Sequence, residues 1–376
     1  MSNHAGATTD VAQAGRIEGY DLARALAILG MVVVHFALVM SSERADEGGW
    51  ASKLIQLLDG RAAATFMVLA GVGITLRSQS ADARAPDDPK AVARVRVTLL
   101  KRGVFLLAVG FLNLLIWQGD ILRVYGVSLF LAAGLVTVRA SWLWTVALAL
   151  VAGFLVLMGT VDYSKNWDWE SMHYHGLWTA TGSVRNLFYD GFRAVFPWTG
   201  LLVFGMWLGR HDPRRPGTRN RLLAAGAALV LISWVTSRLL LHDALAHPDT
   251  WRMDPESAQA VLGLGSMPPM PLFLLSAVGT AIVVIAASAW VAEPFGRLAI
   301  VRAMVATGQM AFTWYVGHIV LGLGGVILLG LYDDQPVGAG VGAGVIFFAI
   351  ACALSLAWRH RWKHGPLEWL MRRLAG

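Results

Sequence analysis

Apolar residues in this chain come in long runs separated by short polar stretches, and ten runs stand out. They cover Leu22–Met40, Ala62–Leu76, Thr98–Trp117, Ile121–Val138, Trp142–Thr160, Ala194–Leu208, Leu222–Leu241, Pro271–Val291, Met304–Leu331 and Val337–Trp358. Most approach the ~20 residues with which a helix crosses a bilayer. The second and sixth are short, so their helices are expected to run a few residues past these limits. Lipid offers no partner for free backbone N–H and C=O groups, so each run is predicted to be an α-helix. The expected fold is an all-α polytopic membrane protein with about ten transmembrane helices.

Composition supports this reading. Of the 376 residues 56% are hydrophobic and 15% charged, against about 25% charged in soluble domains. A disordered chain is excluded by the high hydrophobicity, and a collagen-like or repeat array by the lack of a fixed Gly or Pro period. Runs of membrane length argue against a soluble enzyme. The single cysteine, Cys352, allows no internal disulfide. For the net charge of +7, placement matters more than size. With the amino terminus inside, the inner segments hold 22 of the 31 Lys and Arg, and the outer segments hold 15 of the 24 acids. The positive-inside bias therefore predicts a multi-pass inner-membrane (plasma membrane) protein with both termini cytoplasmic.

Three regions are expected: a disordered tail over 1–15, a helical membrane domain over 16–358, and a basic tail over 359–376. Trp362, Leu367, Trp369, Leu370 and Leu374 make that last tail read as an interfacial amphipathic helix. The first run is not read as a cleaved signal peptide, because it carries Asp21, Arg24 and His35 and no small-residue cleavage site follows at Ser41–Glu47. The Ser78–Lys90 loop, dominated by Ala, Asp and Pro, is expected to be mobile. Two outer loops are long, Val161–Arg193 and His242–Met270, and the aromatic content of Asn166–Trp178 predicts that the first is ordered.

Polar groups inside spans cost free energy and are functional suspects. Asp21, Arg24, Ile28, Met31 and His35 fall on one helical stripe. Arg24 and His35 are 11 positions apart, which places them about 20° apart in azimuth and about 16 Å apart along the axis. Asp21 can pair with Arg24 one turn on. The same residues also fit a snorkelling Arg and a hydrogen-bonded core His. His318 lies mid-span with Trp314 and Tyr315 on its face, and it too fits either a catalytic or a core role. Asn113 and Gln309 read as interhelical glue. Arg123 and Arg238 fall near outer interfaces, where they can snorkel. Asp59 and Arg61, just before the second run, are placed to face a substrate. No Walker A loop, zincin motif or dinucleotide fingerprint is present, and Gly71-Val-Gly73 is better explained by helix packing. The run Gly338–Gly344 suits packing within the chain or between two copies.

The stretch from Arg16 through Asp21 and Arg24 to His35 resembles the opening of transmembrane acyltransferases. The acyltransferase-3 family opens with an Asp, an Arg three residues on, and a His after ten more. Phe66–Gly73 resembles that family's Phe-rich second span, with Ala70 in place of its Ser. The basic run Arg94–Arg102 resembles its cytoplasmic Arg cluster, and Thr307–His318 its late Gly…Tyr…His span. Gly308-Gln-Met-Ala-Phe-Thr-Trp-Tyr315 and His364-Gly-Pro-Leu-Glu-Trp-Leu-Met-Arg-Arg373 look like the YeiB-like membrane proteins, a domain of unknown function that shares the amino-terminal pattern with the heparan-α-glucosaminide N-acetyltransferases. Together these matches cover about half the chain.

The resemblance implies an acyl-CoA-dependent O- or N-acyltransferase with acetyl-CoA as co-substrate and no metal. Arg94, Arg96, Lys101 and Arg102 would hold the donor's phosphates, although the same residues fit plain positive-inside flanking. His35 would act as base or nucleophile, with Asp21 and Arg24 positioning it or the thioester, and with His318 and Tyr315 as further candidates. Trp167, Trp169, His173 and His175 of the outer loop, together with Asp59, would meet a glycan or small-molecule acceptor. An aromatic belt at the membrane surface explains the loop equally well. The expected partners are the bilayer, acyl-CoA and the acceptor, with a second copy as a further candidate and no nucleic acid. Two rivals remain at this level: a proton-coupled transporter, since buried Asp, Arg and His also build proton relays, and a lipid receptor gripping headgroups through its basic tail.

Overall fold

The computed structural model describes residues 16–41, 49–85, 88–169 and 171–376. The tail over 1–15, the stretch 42–48 and Glu170 lie outside the described residues, and so do the expectations placed on them. Every apolar run is helical. In chain order the helices are α1 Glu18–Met40, α2 Trp50–Leu58, α3 Arg61–Arg84, α4 Pro89–Asn113, α5 Leu122–Leu135, α6 Ala140–Thr160 and a short α7 Ala180–Arg185. A π-turn over Asn186–Asp190 leads into α8 Val195–Leu208. Then come α9 Pro216–Ala246, the short α10 Pro248–Trp251 and α11 Pro255–Leu262, α12 Pro271–Phe295, α13 Ala299–Gln309 and α14 Ala311–Gly317. A second π-turn, His318–Leu323, is followed by α15 Gly324–Leu328, α16 Val337–Arg361 and α17 Pro366–Ala375. The paired dipeptides Trp167–Asp168 and His173–Tyr174 form the two-stranded antiparallel ribbon β1–β2 of the outer loop.

Among the described residues seven helical stretches are long and apolar enough to cross a membrane, and an eighth is a pair bent by 47°, Ala180–Asp190 with Val195–Leu208. The remaining two runs are α4, whose first half carries Lys90, Arg94, Arg96, Lys101 and Arg102, and α5, which is only 14 residues long. The chain is thus an all-α polytopic membrane protein. The outer faces of α6 and α9 leave Trp144, Leu148, Val156, Leu231, Ile232 and Leu239 exposed, which suits a lipid environment.

One expectation is corrected. Ser78–Lys90 is not a loop throughout, because α3 continues to Arg84. Its Ser-Ala-Asp-Ala-Arg sequence contains good helix formers and no breaker before Pro86. The next helix then starts with Pro89 in its first turn and the Asp88 carboxylate accepting from the Lys90 N–H at 2.9 Å.

α1 is the hub, packed against α16, α13, α12 and α3. Small residues allow the close approach. A Cβ added at Gly340 of α16 would sit 2.6 Å from the Ala37 Cα of α1, and one at Gly344 would sit 2.8 Å from the Val33 Cα. The Gly338–Gly344 run therefore serves packing within the chain at these two positions, while Gly342 faces open space. Gly344→Leu should force α16 off α1 at a cost of about 1–3 kcal/mol, lowering the thermal midpoint in detergent. Gly342→Ala should leave it unchanged. Equal effects from the two variants would contradict this packing.

Candidate active site

α1 carries its polar stripe across the fold. At one end the Asp21 carboxylate, fully buried, accepts from Arg24 Nη1 at 2.6 Å, from Arg16 Nε at 2.5 Å and Nη2 at 2.9 Å, and from Gln309 Nε2 of α13 at 3.3 Å. This cluster ties α1 to α13 by its charge. Further along the same face is His35, buried, with its Nδ1 2.9 Å from Nε2 of the fully buried His318. The two rings stack with centroids 5.1 Å apart.

The hydrogens of this pair follow from its neighbours. His318 Nδ1 lies 3.3 Å from the Trp314 carbonyl oxygen, which only accepts, so Nδ1 carries a hydrogen. In the neutral ring His318 Nε2 is then an acceptor, and His35 Nδ1–H donates to it. That leaves the lone pair of neutral His35 on Nε2, which has no hydrogen-bond partner among the described residues. The chain from Trp314 C=O through His318 to His35 thus fixes one tautomer of His35, as an orienting group does for a catalytic base.

Around the pair sits an aromatic wall. The Trp117 ring lies 5.1 Å from His35, and Phe192 stacks on Trp117 at 5.9 Å. The indole edge fits only because residue 119 is Gly, since a Cβ there would come 2.6 Å from Trp117 Nε1. Beside Phe192, Arg193 donates to the Phe192 carbonyl at 2.6 Å and to the Asp59 carboxylate at 3.3 Å. Ser266 donates to the same carboxylate at 2.5 Å. Tyr315 presents its ring edge to His318 at 5.2 Å, and its hydroxyl accepts from the Ile121 N–H at 3.1 Å and donates to Asp120 at 3.3 Å.

The loop between α6 and α8 covers this wall. Trp167 is buried, meets Phe192 edge-on at 4.8 Å and donates its indole N–H to the Asp190 carbonyl at 2.6 Å. The Asp190 side chain, fully buried, takes a hydrogen bond from the Tyr174 hydroxyl at 2.7 Å and an ion pair from Arg185. Burial, reinforced by the hydrogen bond to Asp190, holds the Tyr174 phenol above its ordinary pKa, so it stays a donor. Gln118 joins the loop to the Trp117 turn, accepting from the Tyr174 N–H at 3.1 Å and donating to His173 Nδ1 at 3.2 Å.

At the opposite, arginine-rich end two cavities open. The larger, about 810 Å³, is lined by Arg16, Arg77, Arg84, Arg94, Arg102 and Arg372 and by no acidic residue. The narrower, about 300 Å³, runs inward past Arg24, Phe66, Tyr125 and Phe312. Arg77 and Arg102 line both, so the two adjoin. The Phe66 ring that walls the narrower cavity stacks on Tyr315 at 6.3 Å, and Tyr315 leads on to His318.

The singled-out residues therefore divide among several places. His35, His318 and Tyr315 come together, while Asp21 and Arg24 stand at the arginine-rich end and do not touch His35. Arg94 and Arg102 line the larger cavity; Arg96 and Lys101 are exposed outside it, Arg96 donating to Thr137 at 3.2 Å. Trp167 is a buried support. Trp169 stacks on Trp167 at 5.2 Å, and His173 and His175 are exposed with rings 5.2 Å apart. Asp59 pairs with Arg193. Sequence reasoning missed Trp117, Phe192 and Arg193, which no spacing connects to His35. It also missed Arg77 and Arg84, whose seven-residue separation on one helix was a usable signal.

Residues 16–241 match the family model described as heparan-alpha-glucosaminide N-acetyltransferase, catalytic. Residues 220–376 match the model described as a protein of unknown function, DUF418. No curated protein matches the chain.

The loop's dependence on one buried carboxylate is testable. Asp190→Ala leaves Arg185 and Tyr174 without their acceptor, a loss of about 3–5 kcal/mol for a broken buried ion pair. Trypsin should then cut at Lys165 much faster than in the wild type. Unchanged cleavage would mean that the loop is held by its aromatic contacts alone.

Proposed function

The chain belongs to the heparan-α-glucosaminide N-acetyltransferase catalytic family, and from that premise we propose that it moves an acyl group, acetyl foremost, from cytoplasmic acyl-CoA to an amine or hydroxyl of a glycan or small molecule at the outer face of the plasma membrane. The observation that carries this reading is the His35–His318 pair, with its lone pair on His35 Nε2, standing beyond an arginine-lined cavity and an inward channel. Acyl-CoA is polyanionic, and arginine guanidinium groups suit its phosphates. Arg94 and Arg102 keep their proposed donor role, joined by Arg77 and Arg84. Arg24, which lines the channel, would lie beside the pantetheine or thioester.

In the reaction the acceptor heteroatom attacks the thioester carbonyl and gives its proton to His35 Nε2. The new C–N or C–O bond forms, the C–S bond breaks, and the thiolate leaves as the thiol after taking that proton. His318 holds the His35 tautomer and spreads the imidazolium charge through the shared hydrogen bond. Trp117 and Phe192 would provide an apolar wall for the acceptor, with the exposed Trp169, His173 and His175 and the half-buried Asp59, held by Arg193 and Ser266, as the groups it would meet.

The test is acetyl-CoA binding and turnover by purified protein in detergent. His35→Ala should lower turnover about 10²–10⁴-fold, the usual contribution of a general base, with binding kept. His318→Gln, whose amide oxygen can accept from His35, should lose less than His318→Ala. Arg24→Ala should weaken donor binding. A folded His35→Ala protein with full turnover would sink the assignment. A folded wild type that binds none of several acyl-CoAs would sink the enzyme reading and favour a transporter.

A further inference from the structure

The carboxy-terminal helix α17 lies outside the acetyltransferase match, in the stretch that matches only the model of unknown function. It nevertheless walls both cavities. Arg372 and Gly376 line the larger one and Met371 the narrower. The Gly376 main-chain oxygen accepts from Arg102 Nη2 at 2.7 Å, while Arg102 Nε is buried without a partner. Among the described residues no Asp or Glu side chain lies within ion-pair distance of Arg77, Arg84, Arg102 or Arg372. Four arginines with no acidic side chain beside them around one cavity, one of them with an unsatisfied N–H, suit phosphate groups.

The Glu368 side chain anchors α17 to the start of α14. The Glu368 carboxylate accepts from the N–H groups of Phe312 at 2.8 Å and Thr313 at 3.0 Å, and from the Thr313 hydroxyl at 2.5 Å. Thr313 Oγ1 in turn accepts from the Leu367 N–H at 3.1 Å. These amides are the free donors at the start of α14, after the break at Met310, and a helix start without such partners is unstable when buried. α14 is also the helix that carries Tyr315 and leads into His318. The same carboxylate therefore anchors the cavity wall and braces the helix behind the histidine pair.

We propose that α17 is part of the donor site: Arg372 binds the phosphates of the nucleotide portion of acyl-CoA, and Glu368 positions both that arginine and the Tyr315–His318 segment. The inference rests on the acyl-CoA reading above. An anionic lipid headgroup shares the phosphate chemistry, so the experiment separates the two sources.

Binding of acetyl-CoA and of S-acetyl-pantetheine, which lacks the nucleotide and its phosphates, is measured on full-length protein in detergent with and without phosphatidylglycerol. Arg372→Gln should weaken acetyl-CoA about tenfold, the loss of one charge-assisted contact, and leave S-acetyl-pantetheine unchanged. In turnover it should raise KM for acetyl-CoA with kcat within about twofold, as expected for loss of uniform binding. Arg373→Gln removes the same charge from the same helix on the side where Arg373 covers Trp369 at 5.3 Å, and it should change neither. Glu368→Ala should raise KM and lower kcat together, and Glu368→Gln should restore most of both. Wild-type affinity for acetyl-CoA in Arg372→Gln overturns the assignment alone, as does equal weakening of both thioesters. Loss of phosphatidylglycerol binding without loss of acetyl-CoA binding gives the site to lipid and also overturns it. A wild type that binds no acetyl-CoA overturns the donor reading and this assignment together.

Discussion

The hydrogen bond between His35 and His318 joins residues 283 positions apart, and much of the fold is arranged so that it can form. α1 must cross the molecule as one unbroken helix to bring His35 to that depth. The later segment is irregular, with a break at Met310, a seven-residue helix, and a π-turn that starts at His318 itself. A π-turn inserts an extra residue into the helical ladder and re-aims side chains, which is why such turns gather at functional sites. His35 lies within the acetyltransferase match and His318 within the other. Neither matched stretch contains the pair, so the site exists only when both pack together.

Charge placement follows from the same constraint. An ion inside a membrane protein is tolerated when it is paired, and the buried acids Asp21 and Asp190 and the half-buried Asp59 are crowded with donors. Asp21 has Arg16, Arg24 and Gln309; Asp59 has Arg193 and Ser266; Asp190 has Arg185 and Tyr174. Each ties together elements that apolar packing alone would leave free to slide. Asp21 holds the start of α1 to α13, and Asp59 holds the α2–α3 turn to the chain before α8. The Asp21–Arg24 pair shares α1 with His35 without touching it. The arginines around the larger cavity differ, because Arg77, Arg84, Arg102 and Arg372 have no acidic side chain beside them among the described residues.

The fold was legible in the sequence because runs of about twenty apolar residues leave the backbone one solution in lipid. All ten runs are mainly helical, although Met304–Leu331 is broken at Met310 and carries a π-turn, and the stripe of Asp21, Arg24 and His35 lies on α1 as its spacing required. The Ser78–Lys90 stretch was misjudged because its Ala and Asp content suggested a loop, whereas propensity carries the helix to Arg84. The site was legible only in parts. His35 and His318 stood out as polar residues in apolar runs, but nothing in their spacing says that they touch. Trp117, Phe192 and Arg193 were hidden because aromatic and basic residues near a membrane surface are ordinary. Arg94, Arg96, Lys101 and Arg102 looked equivalent as a cluster, yet helical rotation turns Arg94 and Arg102 into the cavity and Arg96 and Lys101 away from it. A charge count along a chain carries no such direction.

Under the proposed reaction the geometry also limits the donor. The narrower cavity of about 300 Å³ ends against Phe66, whose ring stacks on Tyr315. Tyr315 is itself held at its hydroxyl by the Ile121 N–H and by Asp120, and at its ring by His318. A short acyl group needs only the Phe66 side chain to turn. A long one would have to displace Tyr315, breaking hydrogen bonds to a fully buried carboxylate whose other partners, Asn113 and the Leu122 N–H, are already fixed. Each buried hydrogen bond broken costs about 1–3 kcal/mol, which offsets the burial of only a few added methylene groups at about 0.8 kcal/mol each. Under that reaction the Tyr315–Asp120 contact would set the resistance to acyl groups a few carbons longer than acetyl.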